Sequence, residues 1–218
     1  MQRQAGLYAL LRRSPVYQAL QSILRTNENR ALLVRRSIRP RPGDRVVDLG
    51  CGPGTMVPYL PDTIYTGVDI ERSYVDSAKA RYGDRATFIH AGVDGVCDKV
   101  ESGVDIVLAI GVLHHLNDHQ ARQLFRAARA LLKNGGRLVT YDGVLTSPQH
   151  PIARLLIRMD RGRHVRTAED YLALARESFS CVESETRHDL LRVPYDHFIM
   201  VCRREDDFIF PETAAEPH

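Results

Sequence analysis

The chain has 218 residues, 44% of them hydrophobic and 26% charged, with a formal net charge of +3. That is ample for one domain with its own core, and the mild charge gives no electrostatic case for a nucleic-acid partner. No apolar run nears the roughly 18 residues that span a bilayer, and Cys51, Cys97, Cys181 and Cys202 form no C-x-x-C pair, which disfavours a metal site or disulfide framework and points to a reducing, cytoplasmic setting.

The opening stretch, MQRQAGLYALLRRSP, is too short and too interrupted by arginine for a signal peptide. From Leu7 to Ile38 the pattern predicts helix in two pieces, with Ser14-Pro15 as an N-cap signal and TNEN at 26–29 as punctuation. We read residues 1–42 as a helical lid, with Tyr17 facing the substrate; packing flat against the sheet is the alternative. RPRPGD at 39–44 ends the helix.

From Arg45 onward strands and helices alternate. RVVDLG reads as a buried strand, and TMVPYL as the start of a short helix. IYTGVDI, ATFIHA and VDIVLAIG are the next three strands, the last nearly all apolar, as in a strand covered on both faces. RSYVDSAKARYG follows the second strand as a helix, and DHQARQLFRAARALLK is an amphipathic helix after the fourth. GGRLVTYDG is the fifth strand, TAEDYLALARESF a helix with Thr167 as N-cap and Asp170 completing a capping box, and CVESETRHDL and HFIMVCRR close the chain as strands. This order predicts an α/β fold: a doubly wound, Rossmann-like, seven-stranded and mostly parallel sheet with helices on both faces. The domain spans 43–205, with an insertion at about 144–166 and a tail at 206–218.

Ligands of such sheets bind at the carboxyl ends of the strands. The first strand ends in DLGCGPG, with glycines at 50, 52 and 54 and Asp48 two positions ahead. Three glycines there suggest a backbone that passes close to a ligand. The dinucleotide fingerprint G-x-G-x-x-G is absent, because Thr55 stands where its third glycine belongs. Asp69 ends the second strand 21 positions after Asp48. A carboxylate there can accept both hydroxyls of a ribose, and Ile70 offers an apolar face to an adenine ring.

These stretches, together with DIVLAIGVLHHL at 105–116 and LLKNGGRLVTYDG at 131–143, resemble the class I S-adenosylmethionine-dependent methyltransferases. The resemblance implies that the loop around Gly50, Cys51, Gly52 and Gly54 passes the methionine part of S-adenosylmethionine. It also implies that Asp69 holds the ribose and that Asp48 organises the loop and the cofactor's amino end. S-adenosylhomocysteine would be the product. Where the family has an acidic residue near the adenine, this chain has Gly92; Asp94 or the Val93 amide takes that place, and Ile110 completes the cofactor set.

Methyl transfer from a sulfonium is an in-line displacement, so the protein chiefly supplies alignment. A base is needed only where the acceptor carries a proton of high pKa, such as an alcohol. His114 and His115 follow the fourth strand, and Tyr141 and Asp142 end the fifth. Sugar O-methyltransferases of natural-product synthesis look similar at LHH and at an Asp in this place, which implies His114, His115 and Asp142 as catalytic candidates. The insertion carries Arg154, Arg158, Arg161, Arg163, His164 and Arg166. Arginine suits an anionic acceptor, so Arg158 and Arg163, with Tyr17, Tyr141 and Tyr195, are substrate-binding candidates; a solvated basic face is the alternative. The reading is a small-molecule methyltransferase, monomer or homodimer, with no metal, no nucleic acid and no membrane span. A nucleic-acid or protein methyltransferase, and a non-catalytic cofactor-binding scaffold, are its rivals.

Overall fold

The apolar runs around Val46, Val68 and Val107 form neighbouring parallel strands at the middle of one sheet. The computed structural model describes residues 27–151, 153, 154, 157, 163–190 and 195–205. The predicted helices before residue 27, Tyr17, Arg158, Arg161 and the 206–218 tail lie outside the described residues.

The strands are β1 (Arg45–Leu49), β2 (Ile64–Asp69), β3 (Thr87–His90), β4 (Val104–Ile110), β5 (Leu132–Leu145), β6 (Arg166–Thr167), β7 (Cys181–Arg187) and β8 (His197–Arg203). Their order across the sheet is β3-β2-β1-β4-β5-β8-β7, and the two-residue β6 pairs with β5 off this path. The first five strands run parallel, whereas β8 is antiparallel to both β5 and β7. The expected doubly wound sheet is therefore present, with β6 as an addition. The carboxyl ends of β1, β2, β4 and β5 share one edge, and the order reverses between β1 and β4, where such folds open a crevice.

The described helices are α1 (Asn27–Leu33, continued by a π-turn Val34–Ile38), α2 (Arg72–Tyr82), α3 (Asp118–Leu131) and α4 (Ala168–Arg176). Helix α3 buries Ala121, Leu124, Phe125, Ala128 and Leu131, a stripe at three- and four-residue spacing. Two apolar clusters flank the sheet. One joins α3 and α4 to Val107, Leu138 and Phe198; the other joins Ile38, Val75 and Ala78 to Ile106, Val139 and Ile199. Neighbouring residues of β5, Leu138 and Val139, feed opposite clusters, as strand alternation requires.

Three local expectations differ. TMVPYL forms a 3-10 turn at Val57–Tyr59 rather than an α-helix, because Pro58 has no N–H to give and Pro61 follows closely. Strand β5 starts at Leu132 rather than Gly135, and its register against β4 shifts between Val104 and Ile106. Thr167 caps α4 by accepting from the Asp170 amide at 3.2 Å, but Asp170 takes the Thr167 hydroxyl, at 2.9 Å, so the expected reciprocal box is half made. The complete box stands at α3, between Asn117 and Gln120.

Candidate active site

After β1 the backbone turns through left-handed values at each of its three glycines, with φ of +74° at Gly50, +55° at Gly52 and +75° at Gly54. Their surroundings differ. A Cβ on Gly50 would stand 2.6 Å from Val112 Cγ2, and one on Gly54 3.0 Å from the Tyr82 ring, so these two glycines serve packing. A Cβ on Gly52 would meet nothing within 4 Å, so this is where the loop borders open space. The amides of Gly50, Cys51, Gly52 and Gly54 are spent internally. Gly50 and Cys51 donate to Val68 O at 2.7 and 3.1 Å, and Gly52 donates to Asp69 Oδ2 at 2.8 Å. What the loop offers a ligand is room and carbonyl oxygens, which suit a donor such as an amine. The Cys51 side chain is buried and packs beneath Gly67, so of the loop's candidates it faces the core.

Asp69 is held from both sides, its Oδ1 accepting from the Glu71 amide at 2.8 Å and its Oδ2 from Gly52. Each carboxylate oxygen keeps a further lone pair for a hydroxyl. Beside it Ile70 is 75% exposed, an unusual position for isoleucine that fits one wall of a planar ring. A Cβ on Gly92 would meet Asp94 Oδ1 at 2.5 Å and Ile70 Cδ1 at 3.6 Å, so Asp94, in the Val93–Gly95 turn, gathers at the same spot. An open glycine, a polar carboxylate and an exposed apolar side chain along one strand edge fit an amino-acid-bearing nucleoside. Asp48 is buried and accepts the Tyr65 hydroxyl at 2.5 Å. Burial pushes its carboxyl up to about 7 even though Tyr65 opposes the shift. Tyr65 was not singled out in the sequence.

At the ends of β4 and β5 the structure brings His114 and Asp142 together. His114 Nδ1 lies 2.7 Å from Asp142 Oδ1, and the His114 amide donates to the same oxygen at 3.2 Å. A carboxylate only accepts, so Nδ1 carries a proton; in the neutral ring the lone pair is then on Nε2. Asp142 is 2% exposed, and its Oδ2 has no hydrogen-bond partner among the described residues. His115 is exposed and its ring centroid sits 4.0 Å from that of His114. Ile110, half-buried, ends β4 on the same edge.

Of the acceptor candidates, the two described tyrosines gather on His197. Tyr141 stacks on His197 at 4.5 Å between centroids, and Tyr195, buried, lies against Gly143 and 4.8 Å from His197. Arg154 and Arg163 are exposed. Arg166 is buried, with each guanidinium nitrogen engaged by the chain itself. Among the described residues no group of three or more His, Cys, Asp or Glu is placed to hold a metal ion, and no helix is long and apolar enough to cross a membrane.

Comparison with known proteins places a methyltransferase domain at residues 46–136. The chain is 33% identical over 113 residues to 27-O-demethylrifamycin SV methyltransferase of Amycolatopsis mediterranei, covering 48% of this chain and 40% of that protein. It is 31% identical over 120 residues to trans-aconitate 2-methyltransferase of Mycobacterium ulcerans, covering 53% and 43%. The matches thus span less than half the length of these relatives. A TehB-like methyltransferase of Corynebacterium glutamicum superposes with a TM-score of 0.63 at 18% identity, over 92% of this chain and 97% of that one. A geranyl diphosphate methyltransferase, solved in complex with its cofactor, gives 0.66 at 15% identity, over 81% and 84%. At these identities the structural likeness speaks for the fold.

Proposed function

We propose that the chain, whose residues 46–136 match a methyltransferase domain, is a class I S-adenosylmethionine-dependent methyltransferase that methylates a hydroxyl group of a small molecule, of the anionic, sugar or natural-product kind. Bound S-adenosylmethionine supplies an electrophilic methyl group on a sulfonium. Asp69 would take the ribose hydroxyls, Ile70 and Asp94 would flank the adenine, and the open backbone at Gly52 would admit the methionine moiety.

The observation that carries a hydroxyl acceptor is the buried His114–Asp142 pair at the carboxyl ends of β4 and β5, on the same sheet edge. With Nδ1–H held by Asp142, Nε2 of His114 is oriented to take a proton as the acceptor oxygen attacks. Asp142 stabilises the imidazolium that results. An amine or thiolate acceptor would need alignment alone and would not call for this pair. A relative whose name places its methyl on an oxygen, the rifamycin enzyme, agrees with this reading.

The test is incubation with methyl-labelled S-adenosylmethionine and a panel containing 27-O-demethylrifamycin SV, trans-aconitate, phenols, sugars and amines. Label transferred to hydroxyl compounds supports the proposal. Cofactor turnover confined to amines or thiols would refute it, and failure to bind S-adenosylhomocysteine would refute the cofactor site beneath it.

A further inference from the structure

We infer that Arg166 is a positioning residue for His114, an inference that rests on the methyl-transfer reading above. The turn Leu113–His115 that carries His114 is only three residues long, and few of its own bonds fix it. Arg166 grips it at both ends. Its Nη1 donates to Leu113 O at 3.0 Å and its Nη2 to Leu116 O at 2.7 Å. The same guanidinium donates to His164 O at 3.0 Å, and its Nε and Nη2 reach Asp118 Oδ1 at 3.1 and 2.8 Å. Guanidinium has five N–H donors, and these five bonds use them all. None is left for an anionic acceptor, so this arginine of the insertion works on the protein.

Two further contacts extend the clamp to both members of the pair. The His164 amide donates to His114 O at 3.0 Å, so the segment ahead of β6 is tied to the histidine's own backbone. The Arg166 guanidinium lies 5.7 Å from the ring centroid of Tyr171, whose hydroxyl donates to Gly143 O at 3.1 Å, one residue beyond Asp142. The turn bearing His114 and the strand end bearing Asp142 are therefore registered against one buried cation. A base must be held to within a fraction of an ångström of the proton it takes, and a planar fork reaching two carbonyls of one turn gives that precision. Lysine, with three donors on one atom, cannot reproduce the five bonds that the guanidinium's three nitrogens make.

The full chain, saturated with S-adenosylhomocysteine, carries the test. The His114 Nδ1–H resonance in proton NMR, assigned by its loss in His114→Gln, reports the pair without any turnover. In Arg166→Lys the expectation is a retained fold, cofactor-product affinity within about twofold, and a His114 resonance that broadens into solvent exchange, with turnover down more than about tenfold at similar KM. A sharp, unshifted resonance in Arg166→Lys would overturn the inference. Should that variant fail to fold, Asp118→Asn removes the carboxylate that orients the guanidinium, and the same resonance decides in the same way. The outcome is separable from that of the base proposal: a His114→Ala enzyme with full turnover refutes the base, whatever the Arg166 spectra show.

Discussion

Nδ1 of His114 and Oδ1 of Asp142 lie 2.7 Å apart, both buried, at the adjacent carboxyl ends of β4 and β5. On a hydroxyl acceptor, His114→Ala and Asp142→Asn should each lower turnover by about 10²–10⁴-fold while leaving cofactor affinity nearly unchanged. Turnover and product-binding calorimetry on both variants check this. A loss confined to KM would make the pair a binding feature.

Asp69 links the loop at Gly52 to the start of α2 through its two carboxylate oxygens. Asp69→Ala should weaken cofactor binding by roughly 2–3 kcal/mol, since bonds to a charged acceptor are worth more than neutral ones. Asp69→Asn should lose less. Titration calorimetry with S-adenosylhomocysteine measures both, and an unchanged dissociation constant in a folded variant removes Asp69 from the site.

Gly50 and Gly52 should part company on substitution. In Gly50→Ala the new methyl meets Val112 at 2.6 Å in a left-handed backbone, so thermal stability should fall by about 1–3 kcal/mol. In Gly52→Val the side chain enters open space, so the cost to folding should be only the backbone strain of about 1 kcal/mol while cofactor binding is lost. Melting curves with and without S-adenosylhomocysteine separate the two effects.

Asp48 has its carboxyl pushed up to about 7 by burial, from the ordinary 3.8. Between these values the unfolded chain ionises while the folded one keeps its proton, so this group's contribution to stability is full below about pH 4 and is lost as pH rises through 7. Asp48→Asn should therefore gain stability relative to the parent as pH is raised from 4 to 7, with no further gain above. Urea unfolding across that range tests the sign. Tyr65→Phe removes a bond to the ionised form and should cost about 1–3 kcal/mol at neutral pH.

Much of this molecule was written locally. The glycine spacing at 50, 52 and 54, Asp69 at the end of β2, and the apolar stripe of α3 follow from backbone preference and period, which act over a few residues. Those local signals were enough to give the alternation of strands and helices, the site's edge and the family resemblance. Where a local signal had a competitor it misled: Pro58 outweighed the helical pattern of TMVPYL, and the Thr167 hydroxyl claimed Asp170 before the amide did. The buried polar pairs were settled elsewhere. Whether His114 or His115 would meet Asp142 depends on the turn after β4, and that depends on Arg166, 53 residues beyond Leu113. Tyr65 reaches Asp48 only because β1 and β2 pair in the register that sets Asp48 opposite Gly67. Arg166 read in sequence as one more arginine of a basic insertion, and burial made it the cation with every donor spent inside the fold. Sequence fixes which groups are present and which way each strand and helix turns them; packing decides which distant groups meet, because desolvation forces each buried donor and acceptor to find its partner.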